Sequence, residues 1–308
     1  MTRPNCATPA EFFGHLRWLD GRTLPNVIEP YRAQLLQDAL WTFDPDGRPT
    51  YNLVLSGRGK KNWKSADLCF AALYRFVVWP SSLGNGCLLV ANDEDQAGDD
   101  LDLIQKLVRT NPDLSRQLDV RVKSIVRLDG AGELVILPAR DAIGAHGKTY
   151  LFLGWDEIHG HRNYDLMEAL APDPTRTDAL QWITSYASLY NASGYSLHDL
   201  IKIGKARSDP RMLFSWYSGS YGTDPSFTRL KTPAQRANPS MAYWGNDDYL
   251  PQQKQRLHLN EPGAPTGAAF DADSVAACVL GGQAPAPGAG RAPLSEVSGG
   301  RARSNGCS

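Results

Sequence analysis

No stretch of this 308-residue sequence is apolar for long enough to cross a membrane, and its first residues lack a basic-then-apolar signal pattern. Neither sign of charge is in excess. Lys and Arg number 32 against 33 Asp and Glu, a formal net charge of −1, so any contact with nucleic acid must come from a local patch and not from a global field. Cysteine is scarce: Cys6, Cys69, Cys87, Cys278 and Cys307 are scattered without a CxxC pair. Cys69 and Cys87 fall in apolar runs and read as buried thiols of a reducing compartment. What remains, 42 % hydrophobic and 21 % charged, is the composition of an ordinary globular protein.

The most informative stretch is 51–67, YNLVLSGRGKKNWKSAD. Tyr51, Asn52, Leu53, Val54 and Leu55 form a short run rich in β-formers, as in a buried strand. A Gly- and Lys-rich turn follows, and then Leu68, Cys69, Ala72, Leu73 and Phe76 recur at helical spacing. Strand, glycine loop, Lys-Ser and helix is the build of a phosphate-binding loop, whose amides and helix N-terminus cradle phosphates. The candidate contacts are Gly57, Arg58, Gly59, Lys60, Lys61, Asn62, Trp63, Lys64 and Ser65. Lys64 would reach the β- and γ-phosphate oxygens of ATP, and the Ser65 hydroxyl would hold Mg²⁺. Against the pattern G-x-x-x-x-G-K-[ST], Arg58 and Trp63 occupy the glycine positions, although Gly57 and Gly59 flank the first. A Lys-rich surface turn is the competing reading. Trp63 is the awkward residue, because that position approaches the phosphates closely and favours φ > 0. It fits only if its backbone stays in an allowed region and its indole packs away from the nucleotide, on the preceding segment or on a neighbouring subunit.

The stretch 149–159, TYLFLGWDEIH, decides between them. A second buried strand, 150–154, runs into Asp156 and Glu157. An ATPase needs one carboxylate at a strand tip for the Mg²⁺ shell and another to polarise the attacking water. Asp156 takes the first role, and Glu157, with Lys64, is the catalytic candidate. Gly147-Lys148-Thr149 imitates the end of a phosphate loop but leads into a strand, so it reads as a turn. His159 and His161 stand close by, yet no further ligands with zinc-like spacing accompany them.

The chain divides into a helical lead-in, 1–50, an ATPase core, 51–210, an extension or linker, 211–280, and a low-complexity, disordered tail, 281–308. In the lead-in, Leu35, Leu36, Ala39 and Leu40 follow Pro30-Tyr31-Arg32-Ala33-Gln34, and the Gln34 amide could read an adenine, although a lone Gln on a helix is usually solvated. Further strands are expected over 87–91, 121–126, 134–137 and 181–185, with helices between and after them and one possible helix over 250–259. That alternation predicts an α/β fold, a P-loop NTPase with a mainly parallel central sheet flanked by helices. Lys202, Lys205, Arg207 and Arg211 make a modest basic cluster, either a solvated face or a nucleic-acid groove.

From about Pro30 to about Phe270 the order of these pieces resembles the ATPase domain of a tailed-phage terminase large subunit. Carrying the resemblance are 30–34, the basic loop 57–65, Ala91-Asn92 with Asp95-Gln96-Ala97, the stretch 147–159, and Ile183-Thr184-Ser185. Terminases vary this loop and tend to place a basic residue early in it, which Arg58, Lys60 or Lys61 supplies. The resemblance implies ATP hydrolysis with Mg²⁺, driving double-stranded DNA into a procapsid in the cytoplasm of an infected or lysogenic bacterial host. It implies Thr184 and Ser185 as the coupling element, a portal protein and small terminase subunit as partners, and a homo-oligomeric ring with an arginine acting in trans. Arg127, Arg162 and Arg176 are the choices for that arginine. No membrane partner is implied. The family's acidic nuclease cluster has no counterpart beyond Asp271 and Asp273, so a motor without nuclease activity, a fragment or an interrupted gene, is expected. The rival readings are a nucleotide-gated, non-hydrolysing interaction module and a helicase-like DNA-dependent ATPase.

Overall fold

Eight short strands carry the architecture: β1 Leu53–Gly57, β2 Cys87–Ala91, β3 Leu118–Val120, β4 Ser124–Arg127, β5 Glu133–Ile136, β6 Phe152–Asp156, β7 Leu180–Ser185 and β8 Met212–Trp216. They belong to a computed structural model that describes residues 4–91, 94–137, 146–160, 164–224, 232–244 and 256–263. The strands pair in the order β3-β4-β5-β2-β6-β7-β1-β8. All pairings from β5 to β8 are parallel, and β3 and β4 add an antiparallel edge. The helices are α1 Pro9–Gly14, α2 Pro30–Trp41, α3 Lys64–Val77, α4 Glu94–Thr110, α5 Pro112–Ser115, α6 Asp165–Ala169, α7 Ser196–Ala206 and α8 Pro233–Ala237.

Successive strand residues point to opposite faces, and both faces are covered. Val54, Leu89, Phe152 and Trp182 join a core that includes α1 to α4, whereas Leu55, Leu88, Leu153 and Ile183 join a second core with α6 and α7. Helix α3 is enclosed by protein, buried at nearly every position from Lys64 to Phe76. It lies close against β6, because a Cβ at Gly154 would stand 2.8 Å from a methyl of Leu68. That approach brings the start of α3 to the end of β6.

The described residues fall within one compact unit, Met1–Pro265. The lead-in is therefore no separate body; its α2 buries Leu35, Leu36, Ala39 and Leu40 as expected. A core ending at residue 210 is one strand short, since β8 pairs with β1 along its whole length. Residues 256–258 form a turn where a helix over 250–259 is expected, and 250–255 lie outside the described residues. So do Asn92, His161, Arg162, Asp271, Asp273 and the expected tail from Gly281. Among the described residues no helix is long and apolar enough to cross a membrane.

Candidate active site

The loop between β1 and α3 splits into a clasped half and an open half. In the first half, the amides of Arg58, Gly59 and Lys60 donate to the carbonyls of Ser185, Ala237 and Leu257, at 3.4, 2.9 and 2.7 Å. In the second half, residues 63–66 open α3, and the first amides of a helix have no intrahelical partner. Lys61 and Trp63 have φ of 67° and 61°, the left-handed conformation that lets successive amides converge on an anion. The 14-residue α3 adds its dipole behind them.

Lys64 extends from this helix start with 5 % exposure. Its Nζ lies 3.5 Å from Glu157 Oε1 and 3.3 Å from the Gly59 carbonyl. Ser65 donates to Asp156 Oδ2 at 2.9 Å, and Thr184 donates to the other carboxylate oxygen. Asp156 and Thr184 are register partners on β6 and β7, so the sheet itself sets that contact. Glu157 follows immediately with φ 54°, a turned backbone that aims its side chain back at Lys64 and at His159 Nδ1, 3.2 Å away.

The two adjacent carboxylates are driven apart. Burial and then Glu157 push the Asp156 carboxyl up, against donation from Thr184 and Ser65. Burial works the same way on Glu157, but Lys64 and His159 outweigh it and hold that carboxyl below its usual value. Oppositely tuned neighbours are how a site keeps one group ionised as a base. Ser65 and Asp156 are hard oxygen donors meeting at one point, the donor set that Mg²⁺ takes. Among the described residues no three His, Cys, Asp or Glu side chains gather as a metal cluster.

Asp100 on α4 is a further buried carboxyl in this region. Burial, with Asp156, Asp99 and Glu157 adding to it, pushes it well above the usual range. A raised folded-state value means that ionisation costs stability above the unfolded value near pH 4 and costs none below it. Asp100→Asn is accordingly expected to raise the Tm by a few degrees at pH 7 and to leave it unchanged near pH 3. Calorimetric scans at the two pH values check this, and an equal shift at both would exclude the carboxyl as its source.

Several candidates from the sequence stand elsewhere. Arg58 does not reach the cleft: its guanidinium is fully buried, donating to Asp67 Oδ2 at 2.6 Å and to Ser56. The same Asp67 accepts from Arg32 Nε at 2.7 Å, and Arg32 also pairs with Glu29. Gly57 and Gly59 make room for neighbouring chain, since a Cβ would strike Trp216 from the first and Asn238 from the second. Asn62 is a clasp with its amide fully engaged, donating to Asn238 Oδ1, Gly59 O and Lys60 O and accepting from Ser240 N. Gln34 is exposed, donates to Asp38 at 2.7 Å, and lines a separate cavity with Pro9, Phe13 and Pro30. Ser185 turns its hydroxyl to its own chain, at the Tyr186 carbonyl. Arg127 donates to the last carbonyls of α3, and Arg176 is buried against Ser81, Gly84 and Asp178, so neither faces outward. Of the basic cluster, Lys202 and Lys205 line a cavity of about 690 Å³ with His198, Tyr190 and Glu261. Arg211 reaches the Pro49 carbonyl.

Lys60, Lys61, Trp63, Lys64, Ser65 and Glu157 share one cleft of about 700 Å³. Trp63 has the left-handed backbone that favours glycine, and its indole packs on the lead-in, 5.8 Å from Trp18 in a T-shaped pair. The sequence reading missed Trp18 and Trp244, which also line the cleft, and Tyr186, whose ring lies 5.5 Å from Lys64 Nζ. Isolated aromatics give no periodic signal by which to find them.

The architecture matches that of solved structures. The chain aligns with the large terminase of bacteriophage HK97 at a TM-score of 0.67 and 18 % identity, over 85 % of this chain and 56 % of that one. It is more distantly similar to the large terminase ATPase domain of Thermus phage P74-26 (TM-score 0.48, 15 % identity, 70 % and 90 % covered). The large terminase of another thermophilic bacteriophage, in complex with ADP, is also similar (TM-score 0.46, 8 % identity, 62 % and 45 % covered). No protein-family model and no curated protein matches the sequence. The fold, a mainly parallel sheet flanked by helices, is shared with the HK97 large terminase, and the chain spans about half the length of that protein.

Proposed function

We propose that this chain is the ATPase part of a phage terminase large subunit and hydrolyses ATP to drive double-stranded DNA into a capsid. The observation that carries the reading is the meeting of Lys64, Ser65, Asp156 and Glu157 at the junction of α3 and β6. Phosphoryl transfer asks a protein mainly for positioning and charge stabilisation. The amides of residues 63–66 and Lys64 would bind the β- and γ-phosphates. Lys64 would then exchange its pairing with Glu157 for phosphate oxygens, freeing the ionised Glu157 carboxylate to orient a water. Ser65 and Asp156 would hold Mg²⁺, which supplies charge neutralisation on the phosphates when bound. Thr184, touching the Asp156 carboxylate from the next strand, is the residue through which phosphate loss would reach the rest of the sheet. In this reading the partners are double-stranded DNA, a portal protein, a small terminase subunit and further copies of the chain in a ring.

A non-hydrolysing, nucleotide-gated module is the second reading, favoured by the clasped amides of Gly59 and Lys60, which leave fewer donors for phosphate than the usual loop. Phosphate release with Mg-ATP, measured with and without linear double-stranded DNA, separates the two. Release that DNA stimulates and that Lys64→Ala abolishes is the expected result. ATP binding without release would select the module, and release unaffected by Lys64→Ala would remove the nucleotide-loop assignment.

A further inference from the structure

The cleft holds more apolar surface than phosphates can use. Beyond Lys64, Ser65 and Glu157 it is lined by Trp18, Trp63, Leu103 and Trp244. Trp63 remains 38 % exposed although the buried Arg32 guanidinium lies over its ring at 5.2 Å, so the free part of the indole belongs to the cleft. Trp18 stands nearly perpendicular to it, at 83°, and is held there by a T-shaped contact with Phe70. The two rings form a fixed corner beside the amides that open α3, and Trp244 lines the same cleft from the chain after α8. The open part of the Trp63 indole beside an anion nest suits a ligand with a flat π-system joined to phosphates.

We propose that Trp18, Trp63 and Trp244 form the base subsite of the nucleotide and hold the base by stacking, with Gln34 taking no part. This rests on the phosphate-loop reading above. The occupant follows from continuity: one cleft of about 700 Å³ is lined both by Lys64 and Ser65 and by the three tryptophans, and a nucleoside triphosphate carries both phosphates and a flat base. Stacking tolerates any base but favours the larger π-face, so purines should bind better than pyrimidines. Among the described residues the side-chain amide lining the cleft is that of Asn62, and its donors and acceptor are taken by Gly59, Lys60, Asn238 and Ser240. Stacking reads neither N6 nor O6, so a subsite that holds the base in this way should accept ATP and GTP alike.

Calorimetric titration of the full chain with ATP, GTP, CTP and inorganic tripolyphosphate tests this, on the wild type and on Trp244→Ala and Trp18→Leu. The leucine keeps apolar volume against Phe70, and thermal melts confirm that each variant is folded. The expected result is ATP and GTP affinities within about threefold of each other, with CTP weaker. Each variant should lose roughly tenfold for ATP, within the range for removing one stacking partner, and be unchanged for tripolyphosphate. ATP affinity that neither variant alters would overturn the proposal, as would an equal loss for tripolyphosphate, which would mean a damaged loop. Self-association that Trp244→Ala abolishes while ATP binding stays intact would also overturn it, by assigning the aromatic surface to a second copy of the chain. Tripolyphosphate that binds the wild type and not Lys64→Ala, with no base effect, leaves the phosphate loop standing and sinks only the base subsite. If tripolyphosphate binding is absent or indifferent to Lys64, both readings fall together.

Discussion

Glu157→Gln should bind ATP about as tightly as the wild-type chain while turning it over at least 10²-fold more slowly, the lower end of what a positioned general base contributes. The substitution keeps the shape of the side chain and its capacity to accept one hydrogen bond. It removes the negative charge that Lys64 and His159 hold ionised below the usual carboxylate range. An amide does not draw a proton from water, so the loss belongs in turnover and not in binding. Affinity should if anything rise, because Lys64, 3.5 Å from Glu157 Oε1, would no longer be shared between a carboxylate and the phosphates. Calorimetric ATP titration beside steady-state phosphate release reads both quantities. Wild-type release from the glutamine variant would take Glu157 out of catalysis.

The second large effect is on stability. Asp67 is completely buried and is the carboxylate on which two completely buried arginines, Arg32 and Arg58, converge. Asp67→Asn would leave both guanidinium groups facing a neutral amide in the protein interior. Breaking a buried pair in this way costs about 3–5 kcal/mol, because the surviving charge keeps its desolvation penalty and loses its compensation. For a chain of this size that corresponds to a fall in Tm of roughly 10 °C. Adding Arg58→Met to the same chain should recover part of the loss, since Arg32 keeps Glu29 and the guanidinium left without a carboxylate is then gone. Urea denaturation of the single and double variants measures both steps. If the double variant is no more stable than the single, unpaired charge is not the origin of the loss.

The placement of the candidate site residues at strand tips could be read from the sequence because it is local. Lys64-Ser65 follows a β-rich run by a loop length, and Asp156-Glu157 terminates another, so one strand register suffices to place each. Gln34 was also decidable in principle: the buried positions of α2 are 32, 35, 36, 39 and 40, and residue 34 falls off that stripe. Arg58 was not. A charged residue in a glycine-rich loop reads as solvated, and its burial depends on Asp67 and Arg32, the latter 26 positions earlier in the chain, meeting it in the interior. Strand β8 was hidden by its brevity and by the aromatic, turn-rich sequence around it. The clasp on the loop was hidden most completely, since Asn62 meets Asn238 across 176 positions of sequence.

That last separation bears on how the site comes into being. Every strand of the sheet lies within the first 216 residues, but the loop acquires its final curvature only when Ala237 and Leu257 take up the amides of Gly59 and Lys60. During synthesis the first 230 residues would leave the ribosome as a nearly complete α/β body whose phosphate loop is still unshaped. On the proposed reading, competence for nucleotide would therefore arrive after most of the native sheet, as one of the last properties the chain acquires.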